Sequence, residues 1–428
     1  MTERYGFGTR CVHAGQEEPD PATGARAPPI YQTSSYVFED AETAADRYAL
    51  EDDGNVYSRF DNPTVRMLEH RLASLENAVD AVATGSGMAA LDAATTVLAS
   101  AGDNVVSASS IYGGTHSYLA NTASRRGIES RFVDTLDPDA YAEAIDENTA
   151  YVHCETIGNP SLVVPPLEEI AEVANDRGVP LFVDNTFGTP ALCRPLDHGA
   201  DLVWESTTKW IHGSGTTVGG VVADGGSFPW GEYPEKYPEI GAENPAFGAN
   251  FAERFGDRAF SVAVRQRGLR SLGDGQKPFD AWATMQGCET LSLRMERHCS
   301  NALTVAEHLE SHPEVAWVTY PGLDSHETHD LAETYLEGGF GGVVTFGLEG
   351  GYDASRQFCE ETELAQFLAN IGDAKTLVIH PASTTHAQLS EDEQRASGVS
   401  PDLVRMSVGI EDPADILEDI NAAIETAT

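Results

Sequence analysis

The 428-residue chain carries 68 acidic and 26 basic residues, a formal net charge of -42, with 41% hydrophobic residues. That charge repels nucleic acid and anionic membranes, which excludes both as partners, while the apolar fraction is ample for a buried core without disulfide or metal staples. Only four lysines occur, Lys209, Lys236, Lys277 and Lys375.

So large an excess of one sign destabilises the compact state unless salt screens it, and the Debye length falls to roughly 3 Å at 1 M. The composition therefore predicts a salt-rich, halophilic cytoplasm. An acidic protein of a low-salt cell is the plainer alternative, and a melting curve in KCl separates the two. The six cysteines, Cys11, Cys154, Cys193, Cys288, Cys299 and Cys359, form no CxxC pair and read as reduced, mostly buried thiols. The opening MTERYGFGTR lacks the apolar core of a secretory signal, so a cytoplasmic location is expected.

In chain order, residues 1–60 show turn residues and aromatics with little periodicity, as expected of an arm that packs on something else. From about 65 to 225, short apolar runs alternate with helical stretches. AVDAVAT leads into a helix from Gly87, and DNVVSAS, TAYVHCET, VPLFVDNT, ADLVWEST and VGGVVAD follow as strands. A run as continuously apolar as VPLFV fits a parallel strand covered on both faces. Strands alternating with helices predict right-handed βαβ units, hence an α/β sheet whose ligands sit at the strands' carboxyl ends. Gly87 to Ser100 is too short to span a bilayer and reads as a core helix.

From 225 to 285 glycines, prolines and aromatics cluster, as in an insertion built of short helices. A long helix is expected from about Gly287 to Ser311. Strands follow at EVAWVTY, GGVVTFGL, KTLVIHP and LVRMSVGI, with helices near 354–370 and 413–426. The expected division is an arm at 1–60, an α/β domain at 61–285 that includes the insertion, and a smaller α+β domain at 286–428.

Four features fall at the predicted strand ends. In Glu205-Ser206-Thr207-Thr208-Lys209, hydroxyls able to bind phosphate precede a lysine able to form an imine with a phosphate-bearing aldehyde. Taken alone, it is equally a surface lysine after a strand. Asp184 ends VPLFVD, where a carboxylate can keep a pyridinium nitrogen protonated or can merely cap a helix. Ser86-Gly87-Met88 joins a strand to a helix, where exposed N–H groups and the helix dipole favour a phosphate. Tyr112, before Gly113-Gly114-Thr115, can stack on a flat ring or serve as an ordinary turn residue. Each signal is modest, but their conjunction on one sheet is specific. SHETHD, with His326 and His329, does not complete a metal site, and no metal is expected.

With these residues in place, the chain resembles the Cys/Met-metabolism family of pyridoxal-phosphate enzymes, of fold type I. The matching segments are GARAPPIYQTSSYVFED, YSRFDNPT, GSGMAA, YGGT, ETIGNP, FVDNTF, ESTTKW, HPASTTH and RMSVGIED, spread over nearly the whole length. The resemblance implies pyridoxal 5'-phosphate as cofactor and a large domain with a mostly parallel seven-stranded sheet. By position it implies Lys209 as imine lysine and proton carrier, Asp184 on the pyridine nitrogen and Tyr112 on the ring. Ser86, Gly87, Met88, Ser206 and Thr208 are implied at the phosphate. Tyr57 and Arg59 are implied to reach the phosphate of a neighbouring subunit, with Tyr57 also near substrate, which implies an oligomer; a homotetramer built as a dimer of dimers is the expectation, with a dimer as the alternative. Asn159, Ser383 and Arg405 are implied at the amino-acid substrate, the arginine fork matching its α-carboxylate.

Within the family the spelling is most similar to the sulfhydrylase branch. Gly114 stands where methionine γ-lyases have cysteine, and the 225–285 insertion is longer than in cystathionine enzymes. The implied reaction is γ-replacement: O-acetyl-L-homoserine plus sulfide or a thiol gives L-homocysteine or methionine plus acetate. Cystathionine γ-synthase, a methionine or cystathionine γ-lyase, and a catalytically idle binding homologue remain as alternatives.

Overall fold

The computed structural model describes residues 4–388, 390, 391, 394 and 398–428. Seven strands form the larger sheet: β1 (Asp80–Thr84), β2 (Asn104–Ala108), β3 (Glu129–Val133), β4 (Thr149–Glu155), β5 (Leu181–Asp184), β6 (Leu202–Glu205) and β7 (Gly220–Asp224). Their order is β1-β7-β6-β5-β4-β2-β3. The run from β3 to β6 is parallel, and β7 lies antiparallel to both β6 and β1. Every residue of β1, β2, β4, β5, β6 and β7 is buried, which is why each carries a short apolar run, continuous in Leu181–Val183 and broken elsewhere by buried polar residues such as Ser107 and His153. The sequence reading did not isolate β3. It is an edge strand with a mostly half-exposed ESRFV, held by parallel pairing to β2 rather than by an apolar pattern.

Local chemistry sets the strand-to-helix turns. The Ser86 hydroxyl caps the helix Gly87–Leu98 by accepting the N–H of Ala89 at 3.1 Å. Strand β7 passes directly beneath this turn. A Cβ on Gly220 would lie 2.2 Å from the Ser86 carbonyl oxygen, so only glycine permits the approach.

The arm begins as the helix Phe7–His13, which buries Arg10 and Cys11. Arg71 in the helix Pro63–Glu76 ties it down, donating to the carbonyls of Ala14 (2.8 Å) and Met285 (3.1 Å). The 225–285 segment consists of short helical turns and a ribbon of β8 (Glu243–Asn244) and β9 (Ala249–Asn250), as its glycines and prolines predict. Arg270 docks this segment on the arm, its guanidinium 5.8 Å from the Tyr48 and Phe60 rings and 5.2 Å from that of Phe247.

A second sheet, order β10-β11-β14-β13-β12, holds the C-terminal part: β10 (Val315–Thr319), β11 (Val343–Leu348), β12 (Gln366–Phe367), β13 (Leu377–Ile379) and β14 (Val404–Ser407). All its pairs are antiparallel except β12–β13. The helix Leu291–Glu310 joins the two cores. Leu291, Met295 and Cys299 pack into the larger one, and Ala302, Val305, Ala306 and Leu309 into the smaller.

Two helix expectations need correction. The long helix starts at Leu291, because a separate helix, Pro278–Cys288, precedes it. The helix expected near 354–370 is Gly351–Glu361, and the chain then extends into β12. Asp419 stops it: its carboxylate accepts the N–H groups of Glu363 (2.7 Å), Leu364 (3.0 Å) and Ala365 (2.9 Å), a remote acceptor that a local pattern does not reveal. No helix among the described residues is long and apolar enough to cross a membrane. All six cysteines are buried and unpaired.

Candidate active site

Strand β6 ends at Glu205, and the chain turns through Ser206–Lys209, with the Lys209 N–H on the Ser206 carbonyl at 3.2 Å. Arg294 pins the turn from behind, donating to the carbonyls of Trp210 (2.5 Å), Ile211 (3.1 Å) and Gly287 (2.8 Å). The backbone of Lys209 is therefore rigid. Its Nζ projects forward and donates to Asn370 Oδ1 at 2.5 Å. Burial, helped by the positive charge of Arg405, brings the amine down to about 8. Asn370 lies in the loop between β12 and β13, and nothing local in the sequence marked it.

Asp184 ends β5 and sits beside Glu155, the end of β4, in direct register. Asp184 Oδ1 accepts the Thr186 N–H at 2.9 Å, and Glu155 Oε1 accepts the Tyr112 N–H at 2.6 Å. Burial raises Asp184 to about 7, and burial plus the Asp184 charge pushes Glu155 well above the carboxylate range. Neither carboxyl has a cationic partner among the described residues. A protonated ring nitrogen is the kind of group that would supply one. Sequence reasoning missed Glu155, although it stands at a strand end as Asp184 does.

The phosphate candidates converge on one turn. With the Ser86 hydroxyl committed to Ala89, the N–H groups of Gly87 and Met88 have no acceptor among the described residues. The Ser206 side chain faces them closely, since a Cβ on Gly87 would lie 2.8 Å from Ser206 Cβ and 3.2 Å from its Oγ. A helix N-terminus with free N–H groups and a hydroxyl opposite is an anion cradle. The Thr208 hydroxyl is exchanged with Gly219, donating to its carbonyl and accepting its N–H, both at 3.1 Å. It therefore reaches any phosphate only by giving up part of that pair.

Tyr112 precedes the short helix Gly113–Ser117, and its side chain is 46% exposed. The ring lies over Gly114, where a Cβ would come within 2.3 Å of Tyr112 Cε1. Arg405, on β14, donates to Asn159 Oδ1 at 3.4 Å, which brings two of the substrate candidates together. Burial lowers Arg405 to about 10, still a cation. Ser383 turns toward its own loop, its hydroxyl 2.8 Å from His380 Nδ1. Tyr57 and Arg59 contact each other, guanidinium to ring 5.4 Å, and Arg59 donates to the Arg270 carbonyl. Within one chain this pair does not join the Lys209 cluster. His326 and His329 take separate partners, Thr328 and the Pro321 carbonyl.

A buried amine brought down to about 8, two carboxyls lacking a cation, and an anion cradle at a helix N-terminus fit pyridoxal phosphate as a set. Comparison with known proteins agrees. The family model for Cys/Met metabolism PLP-dependent enzymes matches residues 8–425. The chain is 51% identical to a homocysteine synthase of Schizosaccharomyces pombe, over 98% of each chain. It is 48% identical to O-acetyl-L-homoserine sulfhydrylase 1 of Thermus thermophilus, over 98% of this chain and 99% of that one. It superposes with a TM-score of 0.94 on a Campylobacter jejuni crystal structure assigned as an O-acetylhomoserine (thiol)-lyase, at 36% identity, covering 98% of this chain and 100% of that one. That crystal structure contains a pyridoxyl-lysine phosphate. The chain belongs to the Cys/Met metabolism family of PLP-dependent enzymes, and its seven-stranded sheet is the fold type I domain of that family.

Proposed function

We propose that the enzyme converts O-acetyl-L-homoserine and sulfide, or a thiol, to L-homocysteine, or methionine, with release of acetate. The observation that carries this reading is the Lys209 amine, held by Asn370 beside Arg405 and Asn159, in a chain whose relatives are named for this chemistry. When bound, pyridoxal phosphate supplies an aldehyde that captures amines and a ring that withdraws electrons from the amino acid's carbons.

The protein's part is positioning and proton transfer. Arg405 and Asn159 would hold the substrate α-carboxylate and so fix the α-carbon. Lys209 Nζ, once released to its free form, takes the α-proton; an amine lowered to about 8 is partly unprotonated near neutrality and able to do so. The same nitrogen returns a proton after sulfur has replaced acetate at the γ-carbon. Asp184, backed by Glu155, would hold the proton of the ring nitrogen. Gly87, Met88 and Ser206 would hold the phosphate, joined by Ser86 and Thr208, and Tyr112 would cover the ring. Ser383 would approach the substrate only by turning from His380.

Assembly follows from the arm. Tyr57 is 41% exposed and paired with Arg59 outside its own chain's cluster, which supports a role in a neighbouring subunit's site within a homotetramer. The unpaired cysteines support a reducing cytoplasm. A product assay in high salt tests the reaction. Homocysteine from O-acetylhomoserine and sulfide is the expected product. Preference for O-succinylhomoserine, cystathionine from added cysteine, or a 2-oxoacid without any nucleophile would each replace this reading.

A further inference from the structure

A second pair of carboxyls lies behind the first. Glu205 is the last residue of β6 and Glu76 the last of the helix Pro63–Glu76, and both side chains are 0% exposed. The two carboxyls interact directly. Glu76 Oε1 accepts the Asn185 side-chain N–H at 2.9 Å. Glu76 Oε2 and both oxygens of Glu205 have no hydrogen-bond donor among the described residues.

The surroundings do not supply the missing donor. Asp184 and Cys288 face Glu205, one acidic and the other a buried thiol. Arg194 and Asp197 lie toward Glu76, but Arg194 is engaged by Asp197 at 2.8 Å and by Glu337 at 3.2 Å. The thiol of Cys193 is also near Glu76. Two adjacent buried anions without a cation are not sustained; one of them takes up a proton. A single proton turns two of these three oxygens into a donor facing an acceptor and removes one of the two adjacent charges.

Asn185 connects this pair to the site. Its side-chain N–H groups go to Glu76 and to the Cys193 carbonyl, both at 2.9 Å. Its Oδ1 accepts the Thr156 hydroxyl at 2.8 Å, and the Thr156 N–H holds the Asp184 carbonyl at 3.0 Å. Asp184 is thus clamped at its own peptide and through the next residue.

We propose that Glu205 and Glu76 share one proton, forming a buried acid–carboxylate pair in which Glu205 is a positioning residue for Asp184, acting through Glu76 and Asn185. This rests on Asp184 as the partner of the ring nitrogen. Burial and the Glu76 charge push Glu205 well above the carboxylate range, and burial raises Glu76 to about 7, in keeping with the shared proton. The native protein therefore retains a proton that the unfolded chain releases above the ordinary carboxylate pKa. Its stability falls as pH rises from there through the raised native pKa.

Three measurements on the holoenzyme test the pair. Infrared spectra of the parent should show the carbonyl stretch of a protonated carboxylic acid that Glu205→Gln lacks. The folding equilibrium of Glu205→Gln should gain on the parent by up to about tenfold per pH unit above about pH 5, since its amide cannot lose a proton. Glu205→Gln, which keeps a donor toward Glu76, should hold the Kd for pyridoxal phosphate within about twofold, whereas Glu205→Ala should raise it about tenfold. Glu76→Gln provides the same infrared and pH tests should Glu205→Gln fail to fold. An unchanged carboxyl band with parallel pH–stability curves overturns the shared proton. Equal Kd values for Glu205→Gln and Glu205→Ala overturn the positioning role. Asp184→Asn serves as the separate control: unweakened cofactor binding there would remove the Asp184 reading instead.

Discussion

Asn370 Oδ1 accepts a hydrogen bond from Lys209 Nζ across 161 positions of the chain, joining the end of β6 to the loop before β13. The contact links the turn after the larger sheet's β6 to a loop of the second sheet at the amine proposed to carry the chemistry. Removing the acceptor leaves the lysine's four-carbon stem free to rotate while its backbone stays fixed by Arg294. Asn370→Ala is therefore expected to lower kcat by about 10- to 100-fold, in the range of misplaced acid–base groups. Cofactor occupancy, read by visible absorbance, should be unchanged.

Lys209→Ala should abolish turnover and leave no pyridoxyl adduct after borohydride reduction. In the parent, kcat should rise with pH through about 8, because the ammonium form cannot accept the α-proton and the free amine can. A profile flat from pH ~6 to ~9 would remove Lys209 as the proton acceptor whose ionisation limits the rate.

Asp184→Asn should separate stability from cofactor binding. The native pKa of Asp184 is raised to about 7, so its unfavourable ionisation is absent below the unfolded carboxylate pKa and complete above about 7. The cofactor-free variant should therefore melt higher than the parent at alkaline pH and converge with it at about pH 4. Its affinity for pyridoxal phosphate should nonetheless fall, by about tenfold or more, because an amide oxygen is a weaker partner for a charged ring nitrogen.

Gly114→Ala places a Cβ 2.3 Å from Tyr112 Cε1. The half-exposed ring can swing aside, so stability should change by less than about 1 kcal/mol in chemical denaturation. The displaced ring should alter the bound cofactor's fluorescence and lower kcat. An unaltered spectrum would show that Tyr112 does not cover the cofactor.

Raising KCl from dilute buffer to about 1 M should raise Tm, because screening relieves the repulsion of a -42 chain. A Tm independent of KCl would count against adaptation to a salt-rich cytoplasm.

Strands buried on both faces were legible because each carries a short apolar run between helical stretches, continuous only in VPLFV. Lys209, Asp184, Tyr112 and the Ser86–Met88 turn were legible because each stands just past such a run, where α/β sheets bind ligands. Composition alone also carried the charge and the scarcity of lysine. Other features needed the tertiary structure. Edge strand β3 has no apolar pattern of its own, and the carboxylate of Asp419, far along the chain, ends the helix Gly351–Glu361. Asn370 reaches Lys209 only because the second sheet packs its loop against the first. Glu76 and Glu205 became a pair only when a helix end met a strand end, 129 positions apart in sequence. Periodicity records which face of an element is buried. Which polar groups meet at long range is set by packing, and burial is what raises their protonation and gives their pairing consequence.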